Sequence, residues 1–329
     1  MGMLTTHHFL FTAEVVTPLE LDDHSGSALR GMLFDAVWRR FCTNKVSPSC
    51  ADCPLHTVCP VSAIVAPLRE EHVRGRDIPR PYIILPPLGE ARRYAPGELL
   101  LFGLTLFGSI VQLLPYIILS LGALELQGLG RKCRENGWKR GAFRVKYIES
   151  YHPFNGEKQR IYEEGKPLVQ SPTLAVTPTE VVEKAMTLST ERITLDFLTP
   201  TRLIEHEKRL YQAAFRPLVF RLHERLAALK AAYGDAETQE EQVCTLEQGD
   251  LVALAEGITC EQDITRWEEV KSYSNRQHSS SYISGFIGKA TFAGELAAFR
   301  ELLTWGELIH VGKSAVKGNG WYRVVTSEA

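Results

Sequence analysis

The chain has 329 residues, of which 44% are hydrophobic and 23% are charged, and its formal net charge at pH 7 is -2. This composition is typical of a globular protein with buried cores and excludes a disordered or fibrous chain. The charge excludes a surface that is basic overall, so any surface that binds nucleic acid must be a local patch.

The chain opens without the basic region and apolar run of a signal peptide, which predicts a cytoplasmic protein. The first strand is predicted over residues 8–16, whose side chains are largely apolar on both faces. After a polar turn, a helix is predicted over 27–41, with Ser27 as its N-cap, because apolar residues recur there at helical spacing. A cysteine-rich loop over 42–60 follows.

A strand is predicted over 82–85. The apolar stretch after it could be either a buried core or a membrane helix. Residues 99–124 contain no charged side chain and are long enough on paper to span a membrane. Glycines, a glutamine and Pro115 interrupt the stretch. We therefore predict no membrane partner, but a buried strand over 99–107 and a buried helix that Ser109 caps and Pro115 kinks.

A basic stretch leads to a strand over 143–151, which turns at Asn155-Gly156 and returns as a strand over 158–162. Residues 164–180, which contain three prolines, are predicted to connect two halves of the chain. The order of strands and helices up to this point is typical of an α+β protein with helices on one face of an antiparallel sheet.

The second half is predicted to contain four strands and two helices. Their predicted ranges are a strand over 192–198, a helix over 217–233, a strand over 282–292, a helix over 294–304, a strand over 307–311 and a closing strand over 321–325.

Both halves open with a strand, a Thr-Pro pair and a helix, the pairs being Thr17-Pro18 and Thr199-Pro200. This weak repeat predicts an α+β fold of two tandem ferredoxin-like domains. The first domain is predicted over 1–185, with a Cys-rich insert over 42–60. The second is predicted over 186–329 and carries a glycine-rich loop.

Four cysteines lie within the predicted insert: Cys42, Cys50, Cys53 and Cys59. The Cys50-x2-Cys53 pair is a standard chelating unit, and four thiolates complete a tetrahedral structural zinc site. Metal would supply the folding energy of a loop that has little core of its own. An iron–sulfur cluster is the alternative, because Pro60 follows the last cysteine.

The glycine-rich segment 308–324 resembles the loop of the RAMP superfamily, and most of all that of the CRISPR precursor-RNA-processing endoribonucleases. It reads LIHVGK over 308–313 and VKGNGWYRV over 316–324. Residues 285–292, 114–131 and 193–200 also resemble segments of that family, in the same order along the chain. The resemblance covers most of the chain and is densest in the last fifty residues.

The resemblance implies two ferredoxin-like domains that hold CRISPR repeat RNA and cut it at one phosphodiester bond without a metal. In such enzymes the ribose 2′-OH attacks the scissile phosphate, which leaves a 2′,3′-cyclic phosphate and a 5′-OH. The same features fit an alternative, a non-catalytic RAMP subunit that holds repeat RNA beside other CRISPR effector subunits. A third interpretation is that the chain is an iron–sulfur redox or sensing module.

Cleavage of this kind needs a general base, a general acid and a cation, and histidine suits the proton transfers near neutral pH. The resemblance implies a catalytic histidine at or near the first helix, where His24 precedes the helix and Arg30 lies within it. His278 is the next candidate. The alternatives are a polar turn for His24, a helix-surface charge for Arg30 and a solvated loop for His278.

Two segments are candidates for RNA binding. A basic run interleaved with Trp138 would bind phosphates and stack bases, unless it is only a solvated face. The glycine-rich loop would bring backbone N–H groups and lysines to a phosphate, unless it is only a hairpin connection. The candidate residues are Arg131, Lys132, Arg134, Lys139 and Arg140 in the run, and Gly312, Lys313, Lys317, Gly318 and Gly320 in the loop.

Overall fold

A computed structural model describes residues 3–67, 78–89, 92–235, 248–274 and 279–325. The helices are α1 Gly26–Phe41, α2 Pro60–Val65, α3 Leu114–Leu119, α4 Leu121–Gln127, α5 Pro178–Met186, α6 Phe215–Tyr233, α7 Gln248–Ala255 and α8 Arg300–Ile309. The strands are β1 Thr6–Val15, β2 Leu19–Leu21, β3 Tyr82–Leu85, β4 Arg92–Tyr94, β5 Leu99–Phe107, β6 Leu129–Cys133, β7 Lys139–Gly141, β8 Phe143–Tyr151, β9 Lys158–Glu163, β10 Arg192–Thr201, β11 Ile204–Glu205, β12 Lys208–Arg209, β13 Thr259–Asp263, β14 Arg266–Glu268, β15 Lys271–Ser274, β16 Ser279–Tyr282, β17 Gly285–Ala293 and β18 Tyr322–Val325.

The chain divides into two compact units. The first unit comprises residues 4–176 and 232–235, and the second comprises 1–3, 177–231 and 236–329. Both units contain helices and antiparallel sheets, which is the predicted α+β class.

The main sheet of the first unit has the strand order β3-β5-β1-β8-β9. Its central strand, β1, pairs with β5 on one side and β8 on the other, with Phe9 opposite Leu104 and Ser150. Alternate residues of β1 from Phe9 to Val15 are almost fully buried, as expected for a strand with one face in a core. The apolar face of α1 is buried in the same unit and packs against α2, α3, α4 and β3.

The main sheet of the second unit has the order β13-β17-β10-β18, and β14 also pairs with β17. Its core contains Phe197, whose ring contacts Phe286 and Tyr322 edge-on. Helix α8 packs against β18 and α5. In each unit the opening strand therefore lies inside the sheet, β1 between β5 and β8 and β10 between β17 and β18.

Most predicted strands are found within a few residues of their predicted limits, but the strand predicted over 307–311 is wrong. Helix α8 continues to Ile309, and His310 ends it with a φ of 57°. Leu302, Leu303, Trp305 and Leu308 are buried at helical spacing, and this periodicity outweighs the short apolar run.

Three predicted helix starts are also wrong. The helix predicted over 294–304 begins at Arg300, after a short 3-10 helix over Ala297–Phe299. Helix α1 begins at Gly26 after Ser25, so Ser27 lies inside the helix and is not its cap. Ser109 lies in a short 3-10 helix over Gly108–Leu113 that has no side-chain cap, and Pro115 lies in the first turn of α3. Proline is tolerated in the first turn of a helix. The helical segment is interrupted at Ser120, between α3 and α4, rather than at Pro115.

Helix α5 lies partly in the segment predicted to be a plain connection. Thr177 and Glu180 form a reciprocal capping box, with the Thr177 N–H donating to Glu180 Oε2 at 2.8 Å and the Glu180 N–H donating to Thr177 Oγ1 at 3.4 Å. The sequence Thr-Pro-Thr-Glu carries this start signal.

Among the residues that the structure describes, no single helix is long and apolar enough to cross a membrane. One pair, Gly108–Leu119 and Leu121–Gln127, meets that length and composition only when it is joined across a bend of 56°.

Candidate functional site

The turn between β2 and α1 borders a cavity in the first unit. His24 is half-buried in this turn, between Asp23 and Ser25. The cavity has a volume of about 420 Å³ and is lined by Leu21, Asp22, Asp23, Ser25, Pro87, Leu88, Gly89, Arg92 and Tyr94. His24 is not one of these lining residues, but its neighbours Asp23 and Ser25 are, so the turn that carries it lies beside a concave surface that can receive part of a ligand.

Arg92 brings a cation to the same cavity. Its guanidinium lies 4.4 Å from the centre of the Tyr94 ring and 3.0 Å from Glu98. Glu98 partly neutralises this charge, but the side chain remains 56% exposed and can still act on a ligand in the cavity. No local pattern selects Arg92 as a candidate, because only folding brings β4 beside the turn that carries His24.

The Arg30 side chain packs toward the protein interior. Its guanidinium lies 5.5 Å from the centre of the Phe34 ring, and its buried Nε–H donates no hydrogen bond to the described residues. Burial raises the pKa of Tyr82, and the charges of Arg30 and Arg80 oppose that effect. Arg30 is therefore close to Tyr82 of β3. The third catalytic candidate, His278, lies outside the described residues.

The basic run forms the hairpin of β6 and β7, and one of its arginines is already paired. Arg131 contacts Asp22, which lines the cavity, and lies 3.4 Å from Glu20. The hydrogen bond that Arg131 donates to Asp22 raises the pKa of Arg131. This arginine therefore positions the wall of the cavity, and its charge is partly neutralised.

The rest of this hairpin presents charge around an aromatic side chain. Lys132, Arg134 and Lys139 are exposed, and Arg140 is half-buried. Trp138 lies at the tip with a φ of 61° and is 67% exposed. Exposed cations beside an exposed indole are the groups that bind an unpaired nucleotide.

The glycine-rich loop is folded tightly against its own unit. A Cβ atom on Gly312 would lie 2.3 Å from the carbonyl oxygen of Arg202, and one on Gly320 would lie 1.8 Å from that of Val311. Both glycines have positive φ, 78° and 71°. Close approach and left-handed backbone thus explain these two glycines without RNA.

Several N–H groups of the loop donate inside the protein. Lys313 donates to Arg202 O at 3.2 Å, Gly320 to Pro200 O at 3.1 Å and Gly318 to Ala315 O at 2.9 Å. Gly318 and Gly320 are buried, whereas the Lys313 side chain is exposed and that of Lys317 is half-buried. Of the predicted loop contacts, the lysine side chains are the ones in a position to reach RNA.

Replacing Gly320 by alanine is expected to destabilise the second unit by roughly 2 kcal/mol or more, because the Cβ would overlap the Val311 carbonyl in a left-handed conformation. The measurement is the free energy of unfolding in urea. Gly249→Ala in α7 is the matched control, since a Cβ there has no atom within 4 Å. Equal stability of the two variants would contradict the structural role of Gly320.

The four cysteines of the predicted metal site lie in or beside the connection between α1 and α2. Cys42 follows α1, Cys59 precedes α2, and the Cys53 N–H donates to Cys50 O at 3.4 Å across a tight turn. All four are free thiols. Within the described part of the chain, no group of three or more His, Cys, Asp or Glu side chains is arranged to hold a metal ion. The structure does not assemble the four thiols into a site.

Two family models match the chain, and between them they span both units. Residues 4–174 match AF_1859_N, an N-terminal domain, and residues 195–322 match the CRISPR-associated endoribonuclease Cas6. The fold and these matches define a protein of CRISPR RNA processing. The chain belongs to the RAMP superfamily, as the glycine-rich segment predicts.

Solved structures of Cas6 proteins have the same fold. A Cas6 product complex is 15% identical and covers 99% of this chain and 100% of its own, with a TM-score of 0.53. The Cas6 of Thermus thermophilus is 16% identical over 99% of both chains, with a TM-score of 0.52. A chain of a partial Cas6-RT-Cas1–Cas2 complex is 12% identical with a TM-score of 0.59, and this chain spans 47% of its length. No curated protein matches the sequence.

Proposed function

We propose that this chain cuts CRISPR repeat RNA at one phosphodiester bond. The match of residues 195–322 to the Cas6 endoribonuclease carries the proposal. In the reaction the ribose 2′-OH loses its proton and attacks the adjacent phosphorus, and the 5′ oxygen of the next nucleotide leaves with a proton. The products are a 2′,3′-cyclic phosphate and a 5′-OH. Because the nucleophile belongs to the RNA, proton transfer and charge stabilisation suffice without a metal.

We assign the proton transfer to His24, since its neighbours Asp23 and Ser25 line the cavity of the first unit and histidine suits proton transfer near neutral pH. Arg92 is the nearer candidate for the cation that stabilises the phosphate, because it lines the cavity. Arg30 is the second candidate, and His278 remains a proposed alternative for the proton transfer.

The proposed RNA contacts lie on both units. On the first unit they are Lys132, Arg134, Lys139 and Arg140, around Trp138. On the second unit they are Lys313 and Lys317. The exposure of most of these side chains supports the assignment, and the pairing of Arg131 with Asp22 gives it a positioning role.

We propose that both units are ferredoxin-like domains. Strand β1 lies between β5 and β8, which flank α3 and α4, and β10 lies between β17 and β18, which flank α8. In each unit these helices form the second helical segment after the opening strand, and this equivalence supports the architecture. The Cas6-RT-Cas1–Cas2 assembly of one structural relative supports other CRISPR subunits as partners.

The decisive experiment incubates the purified chain with a cognate repeat RNA in excess EDTA. We expect a single cut with a 2′,3′-cyclic phosphate on the upstream product, detected by mass spectrometry. Cutting that EDTA abolishes and Mg²⁺ restores would contradict the metal-independent mechanism. Tight binding without cutting would identify the chain as a non-catalytic subunit that holds repeat RNA.

The zinc site is a separate proposal that rests on the cysteine spacing. We expect about one zinc per chain in protein prepared without chelator, and loss of most of it in Cys50→Ser. Cys260→Ser is the control, since Cys260 is exposed and lies outside the cluster. Iron with visible absorption would favour an iron–sulfur cluster instead, and protein free of both metals would contradict any metal at these thiols.

A further inference from the structure

Two aromatic side chains at the surface of the second unit have no role in the proposed mechanism. Tyr211 is 58% exposed, and its ring centre lies 4.6 Å from that of the half-buried Trp267. Tyr211 follows the hairpin of β11 and β12, and Trp267 belongs to β14 at the edge of the main sheet. An exposed tyrosine ring that packs on an indole presents a large apolar surface to water, which is typical of a binding surface.

The two rings are held in place from both sides. Asp263 accepts from the N–H of Ala213 at 3.3 Å and from the N–H and hydroxyl of Thr265 at 2.8 and 2.6 Å. The indole Nε1 of Trp267 donates to Glu269 at 2.7 Å. Asp263 thus joins the two segments that carry the rings, so a ligand would meet a preorganised surface.

Positive charge lies beside this aromatic pair. Arg209 is exposed on β12. Glu269, which binds the indole, has its pKa lowered first by its hydrogen bonds with Trp267 and Ser284 and then by the charges of Arg202 and Arg209. The backbone of Arg202 in turn accepts the N–H of Lys313 from the glycine-rich loop.

The acidic side chains in this region are largely engaged. Glu269 binds Trp267 and Ser284, Glu205 pairs with Arg216 at 2.8 Å, and Glu268 lies 3.7 Å from Arg266. Glu207 is exposed in the β11–β12 turn, next to the exposed Lys208. With these carboxylates engaged, the exposed Arg209 lies near the rings as a cation for an anionic group that adjoins a flat apolar ligand.

We propose that Tyr211 and Trp267 stack an unpaired base of single-stranded RNA while Arg209 binds the adjoining phosphate. The inference rests on the proposed function, because it places part of the same RNA on the second unit. Every base has a face that can stack on an aromatic ring, so this contact adds affinity without reading sequence. A docked protein segment would use the apolar rings but would not need the cation.

The test measures binding of a short fluorescent oligouridylate by anisotropy. Tyr211→Ala and Trp267→Ala are each expected to weaken binding roughly 5- to 100-fold. Leu254→Ala in α7, which removes another exposed apolar side chain of this unit, is expected to bind like the parent chain. Arg209→Ala is expected to reduce the slope of log affinity against log salt by about 0.7.

Two further variants separate stacking from folding. Tyr211→Leu and Trp267→Leu keep apolar volume but remove the ring, and are expected to fold like the parent chain and still bind weakly. If both leucine variants bind the oligonucleotide like the parent, while the parent cuts repeat RNA, the stacking site is wrong and the proposed function stands. If the parent neither binds nor cuts RNA, both are wrong.

Discussion

Replacing His24 by alanine is expected to slow the cleavage of repeat RNA by roughly 10²- to 10⁴-fold, the usual contribution of a positioned general acid or base. The affinity for the RNA is expected to change little, because an imidazole that moves protons in the transition state contributes mainly to the rate. The measurement is the single-turnover rate with enzyme in excess, together with the dissociation constant.

The pH dependence separates a proton-transfer role from a structural one. A general acid or base makes the cleavage rate depend on pH, and the residual rate of His24→Ala is expected to lose the part of that dependence that the parent shows. His206→Asn is the matched control: it removes an exposed histidine in a left-handed turn that asparagine tolerates. A His24→Ala protein that cuts at the parent rate would remove His24 from the mechanism.

The same assay ranks the two candidate cations. Arg92→Gln is expected to slow cleavage more than Arg30→Gln, because Arg92 lines the cavity beside His24 and the Arg30 side chain packs against Phe34. Arg30→Gln is instead expected to lower stability, since it leaves a smaller polar group beside buried Tyr82. If Arg30→Gln slows cleavage more than Arg92→Gln, Arg30 of α1 is the cation that stabilises the phosphate.

Local sequence signals predicted the strands that are short apolar runs between turn residues. Strands β3 and β5 lie at their predicted limits, because each is a short apolar run bounded by proline or glycine. The prediction failed at residues 307–311, where the apolar run belongs to α8. Gly306 lies inside that helix, because the Tyr322 hydroxyl occupies the space of a side chain. Such a contact between two distant residues leaves no local signal.

The candidate site shows the same limit. The turn before the first helix identified His24 from the sequence. Arg92 became a candidate only because β2 pairs with β4 in the fold. Tyr211 and Trp267 became candidates only because Asp263 joins the two segments that carry them. The basic run is predicted as an RNA-binding segment that includes Arg131, whereas the fold pairs Arg131 with Asp22. Basic residues that are neighbours in the sequence therefore take different places: Arg131 contacts the cavity wall, and most of the others face solvent.

His8 is expected to make the first unit less stable as the pH falls. The side chain is 4% exposed on β1, with Nε2 2.8 Å from Thr6 Oγ1 and Nδ1 3.0 Å from Thr105 Oγ1. Burial, together with the nearby His7 and His152, lowers the pKa of His8 from 6.5 to about 3. In this range the unfolded chain binds a proton that the folded chain does not, so the stability of the neutral form is lost as the pH falls below 6.5.

The expected loss from His8 alone is about 3 kcal/mol between neutral pH and about pH 4.5, at about 1.4 kcal/mol per pH unit below the unfolded pKa. The measurement is the free energy of unfolding in urea across this range for the parent and for His8→Gln, which cannot take up the proton. The difference between the two curves isolates His8 from the other titrating groups, and it is expected to shrink as the pH falls.

His223→Gln provides the comparison. Partial burial also lowers the pKa of His223, but this side chain is less shielded, so its replacement is expected to change the pH dependence less than that of His8. If the parent and His8→Gln keep a constant difference in stability down to pH 4.5, His8 is protonated in the folded chain. The β1 core would then have to hold an imidazolium between two threonine hydroxyls, both of which can turn to accept its protons.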